Sequence, residues 1–109
     1  RLTASLEAYV DYVQANYDAY TTLVRGAASG DQLLRDIYED ARRALTGRIF
    51  ESLAEFGLTD SPGVRLLTNG WAAMVEETVI AWVPEQQVPK AELLGMLAAA
   101  LPAVLGAAG

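Results

Sequence analysis

The residues of this chain that could do chemistry are carboxylates, tyrosines and arginines, because it contains no histidine and no cysteine. That absence removes thiolate nucleophiles, imidazole bases, disulfides and nearly every zinc or di-iron arrangement. No glycine-rich phosphate loop stands in for them. Cysteine usage therefore says nothing about the redox compartment. Acids do occur as pairs, Glu39-Asp40 and Glu76-Glu77. Neighbours on a helix point about 100° apart, so neither pair is a facing acid and base. The chain is not expected to be an enzyme, nor to hold a metal or a cofactor. Glu77 is the more unusual of these acids. It shares a helical line with Leu66, Gly70, Ala73 and Ile80, which aims it toward apolar surroundings. A buried carboxylate needs a partner, either a cationic ligand or Arg42 or Arg48 from another helix. Glu76 falls near Arg65 and Asn69, on a narrow polar line expected to meet water.

Helices must position these groups. Five can be read from apolar spacing and end signals. The first covers Leu2 to Ala15, with Leu6, Tyr9, Val10 and Val13 on one face. Asn16 then interrupts and can cap a second helix, Tyr17 to about Ala27. Ser29-Gly30-Asp31-Gln32 reads as a capping box, with Ser29 as N-cap and Gln32 reaching back. A third helix follows to about Phe56, some 27 residues or roughly 40 Å. Its buried stripe is Leu34, Tyr38, Ala41, Leu45, Ile49, Leu53 and Phe56, and Glu39 and Arg43 are spaced for an i,i+4 pair on the wet side. Gly47 weakens its middle by about 1 kcal/mol relative to alanine, and Gly57 supplies the stop. Ser61-Pro62 opens a fourth helix that Pro84 ends, and a fifth begins after Pro89. Asp60-Ser61 before a helix faintly resembles the attachment serine of acyl carrier proteins. Pro62 replaces the apolar residue expected next, and the N-cap reading is simpler.

The bulk numbers narrow the class. A chain of 109 residues, 52% apolar and 20% charged, is one domain with enough apolar content for a real core. Its net charge is −6, and the nearest approach to a basic run is Arg42-Arg43. A domain that gripped a nucleic-acid backbone would show a basic stripe, so this one is not expected to bind DNA by itself. No export leader opens the chain, which reads as cytoplasmic. Arg1 in place of Met, with a helix starting at once, reads as a piece of a longer protein.

The last two helices are the most apolar. From Leu93 to Leu105 no side chain is polar, and a helix with no polar face is buried or in a membrane. Only about 17 apolar residues are available where a span needs roughly 20, and Pro102 interrupts them, so a membrane is not the expected partner. In the fourth helix Val64, Ala72, Val75, Val79 and Val83 lie near one line, and Leu67, Trp71, Met74, Thr78 and Trp82 near another. Two such helices cannot both be covered in a small monomer. A second copy would cover them as a four-helix bundle about a twofold axis. The residues expected there are Val75, Val79, Trp82 and Val83 with Leu93, Leu94, Leu97, Leu101, Val104 and Leu105. Gly95, Ala99, Ala103 and Ala107 recur every fourth position and permit close backbone approach. Tighter burial within one chain is the alternative.

Three stretches carry a family resemblance: Leu6 to Tyr20 with Leu23 to Asp31, then Asn69-Gly70-Trp71 and Val75-Glu76-Glu77 with Trp82, then Glu92-Leu93-Leu94 opening the last helix. In order and spacing the whole chain resembles the C-terminal ligand-binding and dimerisation domain of a TetR-family transcription regulator of the actinobacterial type. Where that pattern often has Arg before Gly-Trp, this chain has Asn69. The resemblance implies an all-α, five-helix domain over residues 1–109, with the last two helices dimerising. It implies a helix-turn-helix domain upstream, absent from this chain, through which the full protein contacts DNA. It also implies a pocket among the first four helices, binding a small, largely apolar or aromatic effector. The residues expected at that pocket are Tyr9, Tyr12, Tyr20, Tyr38, Arg42, Phe50, Trp71, Met74 and Glu77. A pure dimerisation module with a filled core is the rival reading.

Overall fold

Ser61 and Pro62 start the longest helix as their chemistry dictates. The Ser61 hydroxyl accepts the Val64 N–H at 3.1 Å, and Pro62 occupies the first turn, where a missing N–H costs nothing. The computed structural model describes residues 2–108. In these the elements are α1 (Leu2–Ala15), α2 (Tyr17–Ala28), α3 (Gln32–Glu51), a single 3₁₀ turn (Leu53–Phe56), α4 (Pro62–Trp82) and α5 (Lys90–Gly106). No strand occurs among the described residues, so the fold is all-α. The domain measures 37 × 35 × 19 Å, and its thickness is that of two helices of roughly 10 Å each. With two layers, every helix keeps one face outward.

Four local details differ from the sequence reading. Gly30, at φ 97°, turns the chain sharply, so Ser29 serves the end of α2 by donating to the Gly26 carbonyl at 2.9 Å. Asp31 is the N-cap of α3 and accepts the Leu34 N–H at 3.1 Å; Gln32 bonds forward to Asp36. Asn16 makes no side-chain cap for α2 and donates to the Tyr12 carbonyl instead. The third helix stops at Glu51 rather than continuing to Phe56. A tighter turn buries Leu53 and ends at Gly57, whose φ of 70° suits a residue without a side chain. Arg43 pairs with Asp40, not Glu39, on an exposed face where such a pair adds little.

The core lies where α4 meets α5 and α1. Val75 and Val79 from α4, Leu6, Val10 and Val13 from α1, and Leu93, Leu97, Leu101 and Leu105 from α5 are all buried. Trp71 donates from Nε1 to the Leu97 carbonyl at 3.0 Å, and Trp82 to the Val88 carbonyl at 2.9 Å. Each indole thus buries its ring and still satisfies its N–H.

Within a single chain, then, Val75, Val79, Trp82, Leu93, Leu94, Leu97, Leu101 and Leu105 are core residues, and Val83 and Val104 are half-buried. The reason is the four-residue spacing of the α5 leucines, which stacks them on one inward face. What α5 presents outward is Gly95, Met96, Ala99, Pro102 and Ala103. The outward face of α4 carries Leu66, Gly70, Ala73, Met74 and Glu77. No helix among the described residues is long and apolar enough to cross a membrane.

Candidate ligand site

The opposite flank of α4 faces α2 and α3 and carries Glu76. Its side chain is 13% exposed, yet it is well supplied with donors. Oε1 accepts from the Tyr38 hydroxyl at 2.6 Å, from the Tyr20 hydroxyl at 3.1 Å and from Arg42 Nη2 at 3.3 Å. Tyr38 and Arg42 are one turn apart on α3. Arg42 also donates to the Tyr38 oxygen, and its guanidinium carbon lies 5.2 Å from the centre of the Tyr38 ring. The Tyr9 and Tyr20 oxygens are 2.6 Å apart. A phenol has one proton, and Tyr20 gives its own to Glu76, so Tyr9 must be the donor in that pair. The network therefore draws on four helices and converges on a single carboxylate oxygen.

Burial holds these phenols in their neutral form. The Tyr9 hydroxyl is pushed up to about 12, chiefly because its ring is withdrawn from water. Tyr20 and Tyr38 are raised further, first by burial; the bond to Tyr9 then adds for Tyr20, and the bond to Glu76 for Tyr38. All three remain donors at neutral pH. Glu76 with Arg42 makes a charge-balanced pair inside this cluster.

Around the network is a cavity of about 180 Å³. Its walls are Tyr9, Tyr12, Tyr20 and Tyr38, with Leu23, Ala41, Leu45 and Ala72 between them and Arg42 and Glu76 at the polar end. Tyr9 and Tyr20 meet edge to face with ring centres 5.9 Å apart, as do Tyr12 and Tyr20 at 6.2 Å. Leu45 also lines a second cavity of about 520 Å³ between the start of α1 and the end of α3, bounded by Leu2, Ile49 and Phe56. Leu45 thus borders both spaces. One oxygen of the Glu76 carboxylate, Oε1, is committed to three donors.

Of the residues singled out in the sequence, Tyr9, Tyr12, Tyr20, Tyr38 and Arg42 come together here. The other four lie elsewhere. Phe50 carries the Arg65 guanidinium on its ring at 4.3 Å, Trp71 is in the core, and Met74 and Glu77 are on the outward face of α4. The carboxylate at the site is Glu76, which the sequence reading had assigned to water. One signal pointed to it: Glu76 is four residues beyond Ala72 and three before Val79, at the edge of the buried stripe of α4.

No curated protein and no solved structure matches the chain. Residues 1–103 match a family described as "Tetracyclin repressor-like, C-terminal domain", a class found in transcription regulators. That match spans α1 to α4, the tyrosine-walled cavity and most of α5. The chain belongs to the family of tetracycline-repressor-like C-terminal domains.

Proposed function

We propose that the chain is the effector-sensing and homodimerisation domain of a bacterial transcriptional repressor, acting in the cytoplasm on DNA through a separate N-terminal domain. The observation that carries this reading is the 180 Å³ cavity with four tyrosine walls and a balanced Glu76–Arg42 pair, in a domain of this family. A mostly apolar space with a few convergent polar groups suits a small aromatic molecule. An engineered cavity of roughly 150 Å³ accepts benzene, so this one is sized for a single ring. Only Thr46 and Ile49 of the 20 residues of α3 are buried, which leaves that helix free to shift when the cavity fills. A ligand that binds one α3 position more tightly than another shifts the population between them, and with it the spacing of two DNA-binding heads.

The outward faces of α4 and α5, rich in Gly, Ala and Met, are the surface left for a second copy. Small residues there allow the close helix approach that a symmetric bundle needs. Sedimentation at micromolar concentration tests this half of the proposal. A dimer is expected, and Ala99→Glu should dissociate it; a monomeric parent chain would sink it.

A second reading, a dimerisation module without an effector, draws support from the size of the cavity, which is below the roughly 300 Å³ of ordinary ligand pockets. Calorimetric titration with single-ring compounds separates the two. Saturable binding that Tyr38→Ala weakens supports a sensor.

A further inference from the structure

Every hydroxyl proton in the cavity network is already spent on Glu76, directly from Tyr20 and Tyr38 and through Tyr20 from Tyr9. What remains to meet a ligand is mainly acceptor capacity. Glu76 Oε2 receives no donor among the described residues, whereas Oε1 receives three. Tyrosine rings line the cavity beside this carboxylate, and a carboxylate next to aromatic rings is chemistry that suits a cation. The molecule already places a cation there. Arg42 lies over the Tyr38 ring and reaches Glu76 through one nitrogen at 3.3 Å, a single long contact rather than a two-pronged pair. Its side chain is 20% exposed, so it has a path out to water.

Resting on the effector reading above, we propose that the cavity takes a small aromatic ammonium compound, whose cationic nitrogen replaces the Arg42 guanidinium at Glu76. Arg42 is then the resident competitor. It keeps the half-buried carboxylate paired when the cavity is empty, and its release on binding uncouples α3 from α4. An anionic ligand would find the Tyr9, Tyr20 and Tyr38 protons already given away and the Glu76 carboxylate beside it.

The test is calorimetric titration of the full chain at pH 7 with three single-ring probes: 2-phenylethylammonium, 2-phenylethanol and phenylacetate. The ammonium compound should bind at least tenfold more tightly than the alcohol, and phenylacetate most weakly. Arg42→Ala should raise affinity for the ammonium probe several-fold and leave the alcohol unchanged; Glu76→Gln should erase the preference between them. Equal binding of alcohol and ammonium overturns the proposal while the effector reading stands. Tightest binding of phenylacetate, weakened by Arg42→Ala, also overturns it and makes Arg42 the ligand's own contact. If no probe binds the parent chain or Arg42→Ala at millimolar concentration, both readings fall. The ranking on the parent chain needs no variant, so a folding defect in either one leaves the proposal open to refutation.

Discussion

The two flanks of α4 solve different problems. On the α5 side, Val75, Val79 and Trp71 meet a row of leucines that are all but inaccessible to water, and the polar groups among them, two indole N–H groups and the Thr68 hydroxyl, are satisfied. On the α3 side, Glu76 gathers phenols and a guanidinium around a space left unfilled, and α3 contributes few buried side chains. Close packing and a cavity cannot occupy the same surface. One helix divides them, so the packed flank can stabilise the domain while the other remains loose enough to respond.

This contrast can be broken most directly in the core. Leu101→Ala removes a fully buried side chain and should destabilise the domain by about 2–5 kcal/mol in urea denaturation. If it cost less than the loss of a cavity hydroxyl, the division of labour would be wrong. Alkali should act on the other flank alone. The raised Tyr9, Tyr20 and Tyr38 must lose their protons more readily in the unfolded chain, where the ordinary value is 10.0. Their contribution to stability is therefore complete below pH 10 and declines above it, that of Tyr9 being lost as the pH rises through about 12 and those of Tyr20 and Tyr38 at higher pH still. Denaturation midpoints measured from pH 8 upward check this, and Tyr9→Phe should blunt the decline.

Smaller effects sharpen the comparison. Tyr38→Phe deletes two partly exposed hydrogen bonds, one given to Glu76 and one accepted from Arg42, and should cost about 1–2 kcal/mol in the same assay. It should also weaken single-ring ligands, as no change at Leu101 through packing alone would do selectively. Gly47→Ala has the opposite sign. A Cβ there would meet nothing within 4 Å, so the substitution should stabilise α3 by about 0.5–1 kcal/mol, read as a rise in thermal midpoint. An unchanged or lower midpoint would mean that α3 is held by more than its own backbone.

Elements with local causes were legible in advance. Ser61-Pro62 starts α4, Gly57 ends the 3₁₀ turn, and Leu2 to Ala15 bounds α1 as its spacing predicts. Ser29 and Asp31 were harder, because both can cap. The choice between them depended on the backbone at Gly30, which side-chain type alone does not reveal. Among the aromatics, Tyr9, Tyr12, Tyr20 and Tyr38 were placed at the cavity, whereas Phe50 and Trp71 were not distinguishable from them by residue type.

By itself the sequence determined the helical class, nearly all the helix boundaries, the absence of thiol and imidazole chemistry, and the excess of apolar surface in α4 and α5. These depend on interactions within a few residues or on composition. Only the tertiary structure decided which of two adjacent glutamates meets the tyrosines, and which faces of α4 and α5 turn inward. Successive helical residues point about 100° apart, so a rotation of α4 by about that angle exchanges Glu76 for Glu77. That rotation is set by the packing of Val75, Val79 and Trp71 against α1 and α5, partners distant in sequence.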